Sequence, residues 1–181
     1  MSTPLTARLL VLGGARSGKS TFAEQQAGLD TPVDYLATSE VRADDPEWVE
    51  RVRLHRERRP SYWNTIETLD LAAELRNDTD TPLLIDCLTV WLTCQMDAAG
   101  IWTNEPGCDE TLKSAVDHTV DAFAKATRPL VAVSNEVGQG LVPADPGSRR
   151  FRDEMGILNM RVAQAVDEVW FCTAGIPVKI K

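Results

Sequence analysis

The sequence predicts an α/β fold, a doubly wound and mostly parallel sheet with helices on both faces. Three observations carry that prediction. Short apolar runs alternate with helix-like segments along the chain. Most of those runs are apolar on successive residues, as strands buried on both faces are, rather than on alternate ones. The first run leads directly into a glycine-rich turn followed by a helical pattern. At 181 residues the chain is the length of about one domain of ~150 residues, and 1–181 reads as a single domain. No repeat, low-complexity tract or linker divides it.

The strand candidates, in order, are Leu9–Leu12, Val33–Ala37, Leu83–Cys87, Leu130–Ser134 and Val169–Thr173. Helix candidates fall near 19–28, 45–59, 69–77, 88–98, 109–126 and 147–166. The last is the clearest, because Phe151, Met155, Leu158, Val162 and Val166 recur three or four residues apart and make one apolar stripe. The helix near 45–59 carries its own boundary signals: Asp45 as N-cap, Pro46 in the first turn, and Pro60, which prevents continuation.

Composition excludes several classes. With 43% apolar and 25% charged residues the chain is neither disordered nor fibrous. A net charge of −8 argues against broad nucleic-acid binding. No apolar run is long enough to span a bilayer, and the opening M-S-T-P-L-T-A-R lacks the basic and apolar regions of a secretory signal. Cys87, Cys94, Cys108 and Cys172 form no C-x-x-C pair, so neither a zinc ribbon nor a redox couple is expected and a reducing cytoplasm is the default compartment. Against the acidic background, residues 51–59 hold five arginines (51, 53, 56, 58 and 59) and one acid, Glu57.

The strongest motif is G-G-A-R-S-G-K-S, comprising Gly13, Gly14, Ala15, Arg16, Ser17, Gly18, Lys19 and Ser20, which follows the run L-L-V-L. It matches the P-loop pattern, in which glycines let backbone N–H groups wrap phosphates. Lys19 would reach the β- and γ-phosphates, and Ser20 would ligate Mg²⁺. Leu83-Leu84-Ile85-Asp86, an apolar strand ending in an acid, has the Walker B form, and Asp86 is the second expected Mg²⁺ partner. His55 lies among the arginines, where neighbouring cations favour the neutral, nucleophilic imidazole and would stabilise a phosphoryl-type anion on it. His118, in an acidic helical stretch, reads as a surface residue. Ser134–Gly140, directly after a strand, reads as a substrate loop or a plain connection, since ligands in open α/β sheets sit beyond the carboxyl ends of strands.

Taken together, the ordered motifs resemble the bifunctional adenosylcobinamide kinase/adenosylcobinamide-phosphate guanylyltransferase family of cobalamin biosynthesis. They are the P-loop at 13–20, Y-L-A-T-S at 35–39, H-R-E-R-R-P at 55–60, N-E-V-G-Q-G-L-V-P at 135–143 and R-F-R-D-E-M-G-I-L-N at 150–159. The resemblance runs nearly end to end. It implies a P-loop NTPase-like (RecA-like) fold and two reactions. The first phosphorylates adenosylcobinamide from ATP or GTP. The second transfers GMP from GTP to adenosylcobinamide phosphate through a guanylyl-histidine at His55, releasing pyrophosphate. It also implies nucleotide contacts by the P-loop, Ala37, Thr38, Ser39, Arg56, Glu57, Arg58, Arg59, Glu67 and Asp86, and a homotrimer. Where the family often shows two adjacent histidines and a lysine, this chain has Leu54, His55 and Arg56, which leaves one candidate nucleophile. A single-activity P-loop kinase would need no such histidine. A GTP-binding switch would need an N-K-x-D motif, which the chain lacks.

Overall fold

The computed structural model of the chain describes residues 5–38, 50, 53, 57 and 59–181. The expected Ser39, Asp45, Pro46, His55, Arg56 and Arg58, and most of the expected helix at 45–59, lie outside the described residues. Within that segment Glu50, Arg53 and Glu57 are helical.

The first strand, β1 (Arg8–Gly13), is the apolar run expected from the sequence, longer by one residue at each end. Helix α1 (Lys19–Ala27) follows the glycine-rich turn, and β2 (Asp34–Ala37) and β3 (Asn64–Glu67) come next. Asp70 starts α2 (Leu71–Leu75), its carboxylate accepting from the Ala73 amide at 3.0 Å. Strand β4 (Leu83–Asp86) leads into α3 (Leu88–Ala99), which ends on Gly100 at φ 73°, a conformation glycine supplies without a steric penalty. A short 3₁₀ turn (Ile101–Thr103) precedes α4 (Cys108–Lys125), whose first turn holds Asp109 and Glu110 and whose last holds Lys125, as the helix dipole favours. Strand β5 (Leu130–Asn135) then leads to α5 (Pro146–Ala165), with Asp145 capping the Ser148 amide at 2.7 Å and Pro146 in the first turn. The hairpin β6 (Glu168–Thr173) and β7 (Ile176–Lys179) completes the element order.

The seven strands form one sheet in the order β3-β2-β4-β5-β1-β6-β7. All neighbours run parallel except β6 and β7. Alternate residues of the central strands feed two cores. Leu9, Val11, Leu84, Val131 and Val133 pack with Ala23 and Ala27 of α1 on one face. Leu10, Leu12, Leu83, Ile85, Leu130 and Ala132 pack with α2, α3, α4 and α5 on the other. The expected stripe on α5 is there, with Met155, Leu158, Val162 and Val166 all at 2% exposure or less.

Two strands were not foreseen. Strand β3 reads N-T-I-E and is exposed along most of its length, and β7 reads I-P-V-K and contains a proline. Both are edge strands, so neither carries the continuous apolar run of a strand covered on both faces.

Candidate functional site

The P-loop lies at the carboxyl end of β1, between β5 and β6, where the chain's crossovers leave in opposite directions. Its backbone shape depends on glycine at two places. A Cβ on Gly13 would stand 2.5 Å from Ser17 Oγ and 2.6 Å from the Cys172 carbonyl. Gly18 sits at φ 90°, in the left-handed region, at the start of α1. Arg16 also has a positive φ, 56°, and Ala15 and Arg16 are exposed on the loop's outer side. Above Gly14 there is open space where a side chain would otherwise stand. The buried Lys19 ammonium donates to the Gly14 carbonyl at 3.2 Å, so the loop closes on its own lysine. The Ser17 hydroxyl is buried with no hydrogen-bond partner among the described residues.

Neighbouring elements fix this loop from both sides. The Glu136 amide donates to the Gly13 carbonyl at 3.1 Å, and the Gly175 amide, at the β6–β7 turn, donates to the Ser17 carbonyl at 3.0 Å. Asn135 is the cross-strand partner of Gly13. Its amide donates to Thr89 Oγ1 at 2.8 Å, and its carbonyl accepts from Asn159 Nδ2 at 3.0 Å. Asn159 Oδ1 accepts from the buried Ser134 hydroxyl at 2.6 Å. Arg152 donates to the Gly138 carbonyl, and Arg149 to those of Pro143 and Ala144. The segment 134–144 is therefore built onto α5 by three of its polar side chains. Two of the three, Arg152 and Asn159, belong to the R-F-R-D-E-M-G-I-L-N pattern, whose Arg150 pairs instead with Asp109 and Glu154.

A second group of expected residues meets at the carboxyl edge of β3, β2 and β4. Ala37 pairs in register with Glu67 on one side and Asp86 on the other. Thr38 is fully buried and grips the turn after β4: its hydroxyl donates to the Cys87 carbonyl at 2.8 Å and accepts from the Cys87 amide at 3.1 Å. Tyr35, which sequence reasoning did not single out, donates its hydroxyl to Asp86 Oδ2 at 3.0 Å. The Arg59 guanidinium lies over the Tyr35 ring, 3.6 Å from its centroid. Burial, and then the adjacent Asp86 carboxylate, push the Tyr35 hydroxyl well above its ordinary pKa, against the opposing pull of Arg59. The phenol is therefore a fixed donor at working pH. A tyrosine in an otherwise apolar buried strand was the available signal, since a buried phenol needs a partner. Burial first, and then Asp86, also push the Cys87 thiol up, so it is not poised as a nucleophile.

Among the described residues of the arginine segment, Arg53 is paired with Glu50 at 2.6 Å and with Glu57. His118 is exposed, midway along α4. The four cysteines form no disulfide. No helix of the described residues is long and apolar enough to cross a membrane.

Strand β5 separates β4 from β1, so Asp86 and the P-loop stand on strands roughly 10 Å apart, two inter-strand spacings. Helix α1 touches β1, β5 and β4 and spans that gap, with the half-buried Ser20 in its first turn. A serine hydroxyl and an aspartate carboxylate are hard oxygen donors of the kind Mg²⁺ takes. No cluster of three or more His, Cys, Asp or Glu among the described residues could hold a metal. The open space over Gly14 leaves room for the phosphates whose oxygens would complete the ion's shell, so the donor set fits a nucleotide-borne Mg²⁺.

Comparison with known proteins agrees with this geometry. Residues 9–180 match the family model described as cobinamide kinase / cobinamide phosphate guanyltransferase. The bifunctional adenosylcobalamin biosynthesis protein CobP of Pseudomonas aeruginosa is 40% identical, the match covering 96% of this chain and 97% of that one. The corresponding protein CobU of Salmonella typhimurium is 37% identical over 96% and 99%. Among solved structures, a prototypical ATPase from the type III secretion system of pathogenic bacteria superposes with a TM-score of 0.57 at 15% identity, covering 93% of this chain. This chain spans about half of that one (51%), and the likeness speaks for the P-loop NTPase fold alone. The chain belongs to the cobinamide kinase / cobinamide phosphate guanyltransferase family and is a bifunctional transferase of cobalamin biosynthesis.

Proposed function

We propose that both reactions use the phosphate cradle of residues 13–20 and differ in which phosphorus is attacked and by what. In the kinase step the hydroxyl of the aminopropanol arm of adenosylcobinamide attacks the γ-phosphorus of ATP or GTP, the bond to the β-phosphate oxygen breaks, the hydroxyl proton is lost to solvent, and ADP or GDP leaves. In the guanylyl step a nitrogen of His55 attacks the α-phosphorus of GTP, the bond to the β-phosphate oxygen breaks, and pyrophosphate leaves. A phosphate oxygen of adenosylcobinamide phosphate then attacks the GMP phosphorus, and the histidine is released. Lys19 neutralises phosphate charge in each step and the P-loop amides orient the chain of phosphates. Ser20 and Asp86 would hold Mg²⁺, which supplies charge neutralisation when bound. Ala37, Ser39, Arg56, Glu57, Arg58 and Glu67 are proposed contacts of the guanine nucleotide.

The observation that carries the histidine assignment is the position of the alternative. The chain has two histidines. His118 is exposed on α4, which packs on the sheet face opposite α1, away from the P-loop helix. His55 belongs to the arginine segment, whose last residue, Arg59, reaches the Tyr35–Asp86 pair.

Peptide mass spectrometry after incubation with GTP and Mg²⁺ tests this. The GMP mass is expected on the peptide containing His55, stable to base and cleaved by acid. His55→Ala abolishes the adduct and guanylyl transfer but keeps kinase activity, and His118→Ala changes neither. A GMP mass on a lysine or on His118, or an adduct formed by His55→Ala, overturns the assignment.

We also propose a homotrimer working in the cytoplasm. Leu141 and Val142, 96% and 71% exposed on the segment after β5, supply apolar surface for a subunit contact beside the site. Sedimentation analysis of Leu141→Ser/Val142→Ser should show dissociation. An unchanged mass, or a wild-type monomer, excludes the contact.

A further inference from the structure

Four sheltered cations of this acidic chain are neutralised where they stand: Arg8, Arg128, Arg150 and Arg161 each meet a carboxylate at 2.6–2.8 Å. Three others are not. Lys19, Arg149 and Arg152 are half-buried or buried, and among the described residues their side chains donate only to backbone carbonyls. Lys19 is the lysine of the phosphate loop. Arg149 and Arg152 lie one turn apart near the start of α5 and hold the two ends of the segment 138–144, at Gly138 and at Pro143 and Ala144. The dipole of α5 opposes a cation at that end. Arg150, between them, is offset by Asp109 and Glu154, whereas Arg149 and Arg152 have no carboxylate within ion-pair distance among the described residues.

Both guanidiniums keep donors in reserve. Arg149 uses Nη1 alone for its two carbonyls, and its Nε and Nη2 have no protein partner and are not buried. Arg152 gives Nη2 to the Gly138 carbonyl, while its Nη1 is buried with no acceptor among the described residues. A buried donor without an acceptor is costly, and a guanidinium offers phosphate two parallel donors. An anion that takes the place of the Gly138 carbonyl would engage both terminal nitrogens at once. The segment that must yield is exposed from Gly138 to Val142. The location also suits an anion. Helix α5 runs back from the carboxyl edge of the sheet, so that Asn159 reaches the Asn135 carbonyl, and Asn135 pairs with Gly13 of the phosphate loop. Arg152 stands seven residues nearer the start of α5, roughly 10 Å beyond that edge at ~1.5 Å per residue. Phosphates held by the P-loop lie on the same side of the sheet.

We propose that Arg152, with Arg149 beside it, binds the phosphate monoester of adenosylcobinamide phosphate, the acceptor of the second reaction. Adenosylcobinamide, the acceptor of the first, carries no phosphate on that arm. The two arginines therefore distinguish the two acceptors, and they neutralise a phosphate that must approach a second, negatively charged phosphorus. The inference rests on the reading that this phosphate receives GMP from His55. Neither arginine takes part in forming the GMP adduct.

Steady-state kinetics of Arg152→Gln test this, because glutamine keeps a donor for the Gly138 carbonyl and removes the charge and the fork. KM for adenosylcobinamide phosphate should rise roughly 10- to 100-fold, the scale of a hydrogen bond to a charged group, and Arg149→Gln should raise it in the same direction. Arg152→Lys, which keeps the charge without the fork, should raise it about 3-fold. In all three variants KM for adenosylcobinamide in the kinase step and the rate of GMP-adduct formation from GTP should stay within about 2-fold of wild type, since neither involves the acceptor's phosphate. Arg150→Gln, whose charge is already paired, should change none of these. An equal rise in KM for both acceptors overturns the proposal and leaves Arg152 a brace for the loop. Slower adduct formation with an unchanged KM for the phosphorylated acceptor also overturns it and assigns the arginines to the γ-phosphate of the nucleotide. Should Arg152→Gln fail to fold, Arg152→Lys and Arg149→Gln decide by the same comparison. A wild type that forms no adduct, yet shows this pattern of KM values in its variants, overturns the histidine reading and upholds the arginine site; an adduct in wild type with unchanged KM values in the variants overturns only the arginine site.

Discussion

The Gly175 amide donates to the Ser17 carbonyl at 3.0 Å, which ties the β6–β7 turn directly to the phosphate loop. The approach is close: a Cβ on Gly18 would stand 3.0 Å from Gly175 Cα. The antiparallel hairpin at the end of the sheet therefore acts as a brace on the P-loop, and the loop has backbone on one side where a phosphate must lie on the other.

Gly18→Ala is expected to weaken nucleotide binding. Gly18 has φ 90°, where an L-residue carries strain of about 1–3 kcal/mol, and the added methyl meets the Gly175 backbone, which cannot rotate away as a side chain could. Relieving either problem shifts the loop amides that face the phosphates. Titration calorimetry with GTP should show at least ~10-fold weaker binding, with the melting temperature lowered by roughly 2–12 °C, the scale of that strain in a chain of this size.

Thr38 gives a sharper test of what its hydroxyl does. The side chain is 0% exposed and satisfies both the amide and the carbonyl of Cys87, next to Asp86. Thr38→Val keeps the shape and leaves both backbone groups without their partner, at about 1–3 kcal/mol of stability. Thr38→Ser keeps the hydroxyl. The valine variant should lose stability in urea and lose both activities together, while the serine variant retains both. A stable valine variant with weakened GTP binding would instead mark the hydroxyl as a nucleotide contact.

The contrast between Lys19 and Tyr35 shows what was legible in the sequence. The P-loop is local: eight consecutive residues hold its glycines, lysine and serine, and a strand and helix flank them, so motif and fold class could be read together. The central strands were legible because covering both faces leaves a continuous apolar run. Edge strands β3 and β7 have no such run. Tyr35–Asp86 depends on which strands become neighbours, which single-strand patterns do not encode. The same holds for Arg128. It stands in the loop before Pro129 and is 1% exposed, pairs with Asp34 at 2.6 Å and donates twice to the Thr81 carbonyl. It is the fixed point of the sheet edge opposite the site. Its partners lie 47 and 94 residues away, so the pairing exists only once β2, β4 and β5 are aligned.

Stability should fall in acid partly through Asp167. Its carboxylate accepts from Arg8 Nη2 at 2.7 Å and from the Arg8 amide, joining β1 to the turn before β6. The Arg8 hydrogen bonds hold its pKa down at about 2, below the ordinary carboxylate value near 3.9. A depressed folded-state pKa means stabilisation that is fully present above about pH 4 and is lost as pH falls through about 2. Because the Asp167 side chain is 44% exposed, solvent screening leaves about 1 kcal/mol or less. Asp167→Asn should therefore unfold at lower urea concentration than wild type at pH 7, and the two should converge near pH 2. A difference that persists at pH 2 would assign the effect to packing.

Lys19 is where the two reactions are expected to fail together. It is the first residue of α1 and is buried, and its ammonium is held by the Gly14 carbonyl at 3.2 Å inside the loop. A phosphate oxygen is a far better partner for that charge than a carbonyl, so the bond to Gly14 is one that a bound nucleotide displaces. Each reaction builds negative charge on the phosphate chain as its bond breaks: at the β-phosphate in γ-transfer, and at the departing pyrophosphate in guanylyl transfer. A single preorganised cation serves both. Removing one such contact lowers a rate by roughly 10²–10³-fold, about 2.7–4 kcal/mol of barrier. Lys19→Ala should accordingly lose kinase activity and GMP-adduct formation by similar factors at saturating GTP. Its melting temperature should stay near wild type, because the lost hydrogen bond leaves a carbonyl that water reaches through the open space over Gly14. Lys19→Ala that retains adduct formation while losing only the kinase would show that GTP presents its α-phosphorus to His55 from a different site.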